Sequence, residues 1–101
     1  MEKKLQSFVT QHHDDLLAHL QLSDEPDQTY SRMLKLSEKV GDLAEAVLAQ
    51  QAQEKTEDDA SARARLGAEF ADVVLATLLL SLHLDIDLQE ELHNQLKKIK
   101  E

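Results

Sequence analysis

A chain of 101 residues allows a single domain spanning 1–101, and with 42% apolar and 31% charged residues it is globular rather than disordered. A formal net charge of −9 with no basic patch argues against nucleic acid as a partner, and the absence of cysteine excludes disulfides, thiolate zinc sites and cysteine catalysis. Scarce Gly, Pro and aromatics beside plentiful Leu, Ala, Glu, Lys and Gln favour helix over sheet. In chain order, a first helix is expected over residues 2–22, where Leu5, Phe8, Val9, Leu16 and Leu20 keep the helical period. The polar stretch 23–28 carries the only proline and breaks it. A second helix, 29–50, has the stripe Met33, Leu36, Val40, Leu43 and Val47. Residues 51–59 read as a solvated loop. A third helix, 60–84, is amphipathic at first and then apolar nearly all round (VVLATLLLSLHL), so it must be covered on several sides, a second subunit included. A fourth, 88–100, gathers Leu88, Leu92, Leu96 and Ile99, with Asp87 as its cap and Glu90 three residues on. Four helices with short connections predict an all-α, four-helix antiparallel bundle. The N-terminal MEKKLQSF lacks the apolar core of a signal peptide, and the apolar run 73–84 is too short and too interrupted to span a bilayer. A cytoplasmic protein without a membrane partner is the expectation.

The second and third helices carry acids beside their apolar stripes. Lys39 and Asp42 lie three residues apart on the flank of one stripe, and Glu69 and Asp72 lie three apart on the flank of the other. Glu38 and Glu45 point further toward solvent. Asp72 precedes the wholly apolar segment and is expected to be partly buried. A buried carboxylate costs several kcal/mol unless a cation or donors satisfy it, and clustered acids repel one another. A divalent cation resolves both problems, and carboxylates on facing helices suit Mg²⁺ or Mn²⁺. Periodicity alone leaves a second reading open, in which the acids form an ordinary solvated face.

The segment KLSEKVGDLAEAV resembles the EExGELAEAV element of MazG-like nucleotide pyrophosphohydrolases, and GAEFADVVLATLLLSLHLDIDL resembles their ELaDVl element with its trailing apolar run and iDL. The resemblance covers residues 30–88, most of the chain. The family pattern is an E-x-x-E pair, a gap and an E-x-x-D pair. Glu69 and Asp72 match the second pair in full. In the first, Lys39 stands in place of the first glutamate and Asp42 in place of the second. The resemblance implies an all-α bundle completed by dimerisation or tetramerisation, and Mg²⁺-dependent cleavage of nucleoside triphosphates to monophosphate and pyrophosphate in nucleotide house-cleaning. It implies Asp42, Glu69 and Asp72 as metal ligands, with Glu69 and Asp72 at the catalytic centre and Glu38 as a fourth ligand.

An ammonium cannot ligate a metal, so the lysine opens three outcomes. Lys39 pairs with Asp42 or Glu69 and silences the site; or it contacts a substrate phosphate while three acids hold the metal; or Glu38 replaces the missing ligand. Glu38 lies about 100° from Lys39 around the helix, which works against the last. A plainer role for Lys35 and Lys39 is pairing with Glu38 or Asp42. Among the three aromatics, Phe8 and Phe70 fall on core stripes, which leaves Tyr30 to stack on a base. Asn94, Lys97 and Lys98 lie in the last helix, where the family often has an asparagine and a lysine. His12 and His13 point about 100° apart and do not form a shared ligand pair, and His19, His83 and His93 read as isolated. The alternative to the hydrolase is a catalytically silent helical dimer of the same fold, acting as a binding or regulatory module.

Overall fold

The computed structural model describes residues 4–25, 28–52 and 59–101. Five helices make up its regular structure, with no strand among the described residues: α1 (Lys4–Gln11), α2 (His13–His19), α3 (Thr29–Ala52), α4 (Asp59–His83) and α5 (Leu88–Lys100). The expected first helix is thus two helices. The chain leaves helical geometry at His12 (φ −109°, ψ 18°), whose ring tilts against Phe8 at 5.0 Å between centroids. The expected loop 51–59 is shorter, because α3 continues to Ala52 and α4 begins at Asp59; residues 53–58 lie outside the described set.

Helices α2 and α4 end in the same way. Leu22 N–H donates to Leu17 carbonyl at 2.8 Å and Gln21 N–H to Ala18 carbonyl at 3.1 Å, with Gln21 left-handed at φ 58°. Ile86 N–H donates to Ser81 carbonyl at 2.8 Å and Asp85 N–H to Leu82 carbonyl at 3.1 Å, with Asp85 at φ 62°. This paired pattern satisfies carbonyls that the end of a helix otherwise orphans, usually with glycine at the left-handed position. Helix α5 starts on Asp87, whose Oδ1 accepts from Glu90 N–H at 3.1 Å, as its sequence predicts.

The core joins α1 and α2 to the second half of α4. Val9, Leu16, Leu17 and Leu20 meet Ala76, Leu78 and Leu79, all buried, with Leu5, Leu22, Leu36, Leu75, Leu82 and Leu88 packed around them. Within that apolar half, Thr77 and Ser81 turn their hydroxyls back onto the carbonyls of Val73 and Leu78, both at 2.8 Å, so neither breaks the packing. Residues 60–83 are long and apolar enough to cross a membrane, more than the 73–84 run alone suggests. The core helix of a soluble bundle meets the same criterion.

Helix α3 packs along α4 by one edge of its apolar stripe, Leu36 and Leu43, together with the charged flank. Arg32 and Ala46 are buried, and Lys35, Leu36, Lys39, Asp42 and Leu43 are half-buried. Met33, Val40 and Val47, expected inside, are exposed, and so are Phe8 and Phe70. Helix α5 buries no residue and leaves Leu92, Leu96 and Ile99 in the open. The radius of gyration is 16.0 Å, against about 13 Å for a compact chain of this length. One copy therefore leaves much apolar surface uncovered.

Candidate functional site between α2, α3 and α4

The inward turn of α3 lines its contact with α4 with charge. Lys39 projects from the middle of α3, its side chain only 18% exposed, so its aliphatic stem is buried and its ammonium has few exits. The Nζ atom lies 3.6 Å from Asp72 Oδ2 on α4 and 3.9 Å from Asp42 Oδ2 on its own helix. Asp72 is as enclosed as expected, at 16% side-chain exposure. Its other oxygen, Oδ1, is 2.8 Å from His19 Nε2 on α2. A carboxylate only accepts, so the His19 nitrogen facing it is the protonated one. Asp72 thus divides its two oxygens between two cation-capable side chains from two other helices.

Glu69 precedes Asp72 by three residues on the same flank of α4. Its Oε2 is buried and has no hydrogen-bond partner among the described residues. A buried carboxylate oxygen without a partner is open to a donor or a cation. Just beyond, Arg32 is buried at the same interface. Its Nη1 donates to the Leu79 carbonyl at 3.0 Å, while Nε has no partner among the described residues. Burial pulls the guanidinium below its ordinary value, and the Asp24 carboxylate pushes back.

The remaining expected residues fall around this cluster. Glu38 is exposed and pairs with Lys35 at 3.2 Å, the plain i,i+3 partnership. Tyr30 lies near the start of α3 and is 73% exposed. His83, which reads as isolated, shares a 2.8 Å hydrogen bond with Thr29 Oγ1. His19 also reads as isolated and is the residue that sequence reasoning missed. No local spacing signals its contact, because 53 residues separate it from Asp72.

The cluster offers three carboxylates of the hard-oxygen type that Mg²⁺ prefers, one with a buried unpaired oxygen. In the structure two of these carboxylates are answered by an ammonium, Lys39, which lies against Asp42 and Asp72. Among the described residues, no group of three or more His, Cys, Asp or Glu is arranged to hold a metal ion. Comparisons with family models, curated proteins and solved structures return no match.

Proposed function

We propose that this chain is a Mg²⁺-dependent nucleoside triphosphate pyrophosphohydrolase of the MazG-like kind, a cytoplasmic house-cleaning enzyme that yields a monophosphate and pyrophosphate. The observation that carries the reading is the meeting of Asp42, Lys39 and Asp72 across α3 and α4, one turn from the orphaned Glu69 oxygen. Asp42, Glu69 and Asp72 are the ligands in this reading, and Glu38 reaches the same position only by giving up Lys35. Asp42, Glu69 and Asp72 would hold Mg²⁺, which would neutralise polyphosphate charge and lower the pKa of a bound water so that it gives up a proton more readily. The side chains do the rest. Glu69 brings an oxygen already stripped of solvent, so its gain on binding a cation is large. Asp72, fixed at one oxygen, offers the other toward α3. Lys39 has a long stem, and once released from Asp42 and Asp72 its ammonium serves as a phosphate partner. Tyr30 remains the aromatic available to stack on a base.

The test is pyrophosphate release from a panel of ordinary and modified triphosphates with Mg²⁺. Turnover is expected in the parent, with a loss of at least about 100-fold in Glu69→Ala. A second reading, the silent module, is favoured by the same Lys39 geometry, in which one lysine and one histidine already answer Asp72. A parent without turnover beside an active Lys39→Glu would select it.

The bundle in this reading is a four-helix type completed by a second copy. The outward stripe of Met33, Val40 and Val47 on α3, with Phe70 and Val74 on α4, supports it. Val40→Glu should leave a monomer in sedimentation where the parent sediments as a dimer or tetramer. A monomeric parent would remove this part of the reading.

A further inference from the structure

Helix α5 is the long element that the single chain covers least. Its first turn is docked: Leu88 packs against the core, and Leu5 N–H on α1 donates to Gln89 Oε1 at 3.0 Å. Beyond that turn the helix stands in the open, with Leu92, Leu96 and Ile99 exposed at 55%, 47% and 75%. These three share one face, because steps of four and three residues return to within about 40° of Leu92 around the helix. A helix of 13 residues is marginal in water unless a face of it is packed, so this stripe calls for cover. The charges of α5 are segregated along its axis. Glu90 and Glu91 lie in the first turn, and Lys97, Lys98 and Lys100 in the last.

We propose that the stripe is covered by the same stripe of a second copy, the two α5 helices lying antiparallel about a two-fold axis at the level of Asn94. In that register Leu92 faces the partner's Leu96, and Leu96 faces the partner's Leu92. Glu91 and Lys98 flank the stripe on the same side, about 100° and about 120° from Leu92. A two-fold axis sets that side against itself in reverse order, so Glu91 meets the partner's Lys98 and Lys98 meets the partner's Glu91. Parallel pairing would set like charge against like and lay the two helix dipoles in the same direction. The other flank, with Gln89, His93, Lys97 and Lys100, carries no acid, so the Glu91 and Lys98 pairs fix the direction. A lipid surface or a nucleic acid would ask for a basic helix, and the acidic first turn in a chain of net charge −9 works against both. The contact is small, since a stable interface buries about 1,200–2,000 Å² and α5 brings only Leu92, Leu96 and Ile99. It therefore acts beside the α3 and α4 contact proposed above, joining two dimers into a tetramer, and in that respect rests on that reading.

The experiment is sedimentation velocity of the full chain and of variants at exposed positions of α5, with circular dichroism melting to confirm that each is folded. The parent is expected to sediment as a tetramer and Leu96→Glu as a dimer. Glu91→Lys is expected to raise the dimer–tetramer dissociation constant about tenfold, and Glu91→Lys combined with Lys98→Glu to restore it, because the double exchange rebuilds both pairs in antiparallel order. The chain has no cysteine, so Gln95→Cys, beside the two-fold axis, is expected to give disulfide-linked pairs under mild oxidation, and to lose them when Leu96→Glu is added. A Leu96→Glu that assembles as the parent does overturns the proposal, and so does a double exchange no better than Glu91→Lys. Binding of the parent to vesicles of anionic lipid, lost in Leu96→Glu while assembly is unchanged, would give the stripe to a membrane and overturn it too. A parent dimer broken by Val40→Glu but not by Leu96→Glu overturns the α5 pair and leaves the α3 and α4 contact standing. A dimer broken by Leu96→Glu alone supports the α5 pair and removes the other contact, and a monomeric parent removes both.

Discussion

Helix α4 belongs to two regions built on opposite principles. Its second half meets α1 and α2 through Val9, Leu16, Leu17, Leu20, Ala76, Leu78 and Leu79, an apolar core whose two hydroxyls are tied back to backbone. Its first half meets α3 through the pair Lys39 and Asp72, with Asp42 beside the lysine and Glu69 one turn before Asp72. The core is stabilised by removing apolar surface from water, a contribution of roughly 25 cal/mol per Å² that asks nothing of orientation. The charged seam gains little net energy from its pairs, because each partner loses its hydration first. A fold that needed only stability would have continued the apolar pattern. The apolar core is the frame from which these charges project, and the proposed hydrolase gives them a task.

Substitutions on the two sides should separate these roles. The largest loss is expected at Leu79, which has no exposed surface: Leu79→Ala should lower unfolding stability by about 3 kcal/mol in urea or heat, with or without metal. An effect under about 1 kcal/mol would mean that the site collapses around the smaller side chain and that the core is looser than its burial indicates. Lys39→Met should cost less, about 1.5 kcal/mol, because it leaves Asp72 and Asp42 without their shared cation in a partly solvated seam. Mn²⁺ should restore that loss if the three acids accept a dication, and should leave Leu79→Ala unrepaired. A metal-insensitive Lys39→Met would count against the carboxylates as ligands. The smallest change is Asp87→Ala at the start of α5, expected to cost about 1 kcal/mol through the cap bond to Glu90, with no effect on Mn²⁺ binding.

Much of the molecule was legible before folding. The apolar periods located the long helices to within a residue or two at most ends, and Asp87 was recognisable as a cap from Glu90 three positions on. Asp72 was expected to be half-buried because the chain turns apolar directly after it, and Lys39 was expected beside Asp42 because i and i+3 are neighbours on any helix. The break at His12 was not legible, since neither proline nor glycine marks it. The facing of α3 was not legible either. Its apolar stripe and its charged flank are adjacent arcs of one cylinder, and the period reports both without saying which meets α4. Phe8 and Phe70 went the same way: each lies on an apolar stripe, yet both are open in the single chain.

What the sequence determined by itself is what neighbours along the chain decide: helical type, the Asp87 cap, and the sharing of one face by Lys39 with Asp42 and by Glu69 with Asp72. Those follow from a rotation of about 100° per residue and need no distant partner. Only the tertiary structure decided that α3 turns its charges inward and its Met33, Val40 and Val47 outward, and that His19 reaches Asp72 across 53 residues. The physical reason is that such contacts depend on how whole helices dock, and docking is settled by the summed burial of every face at once.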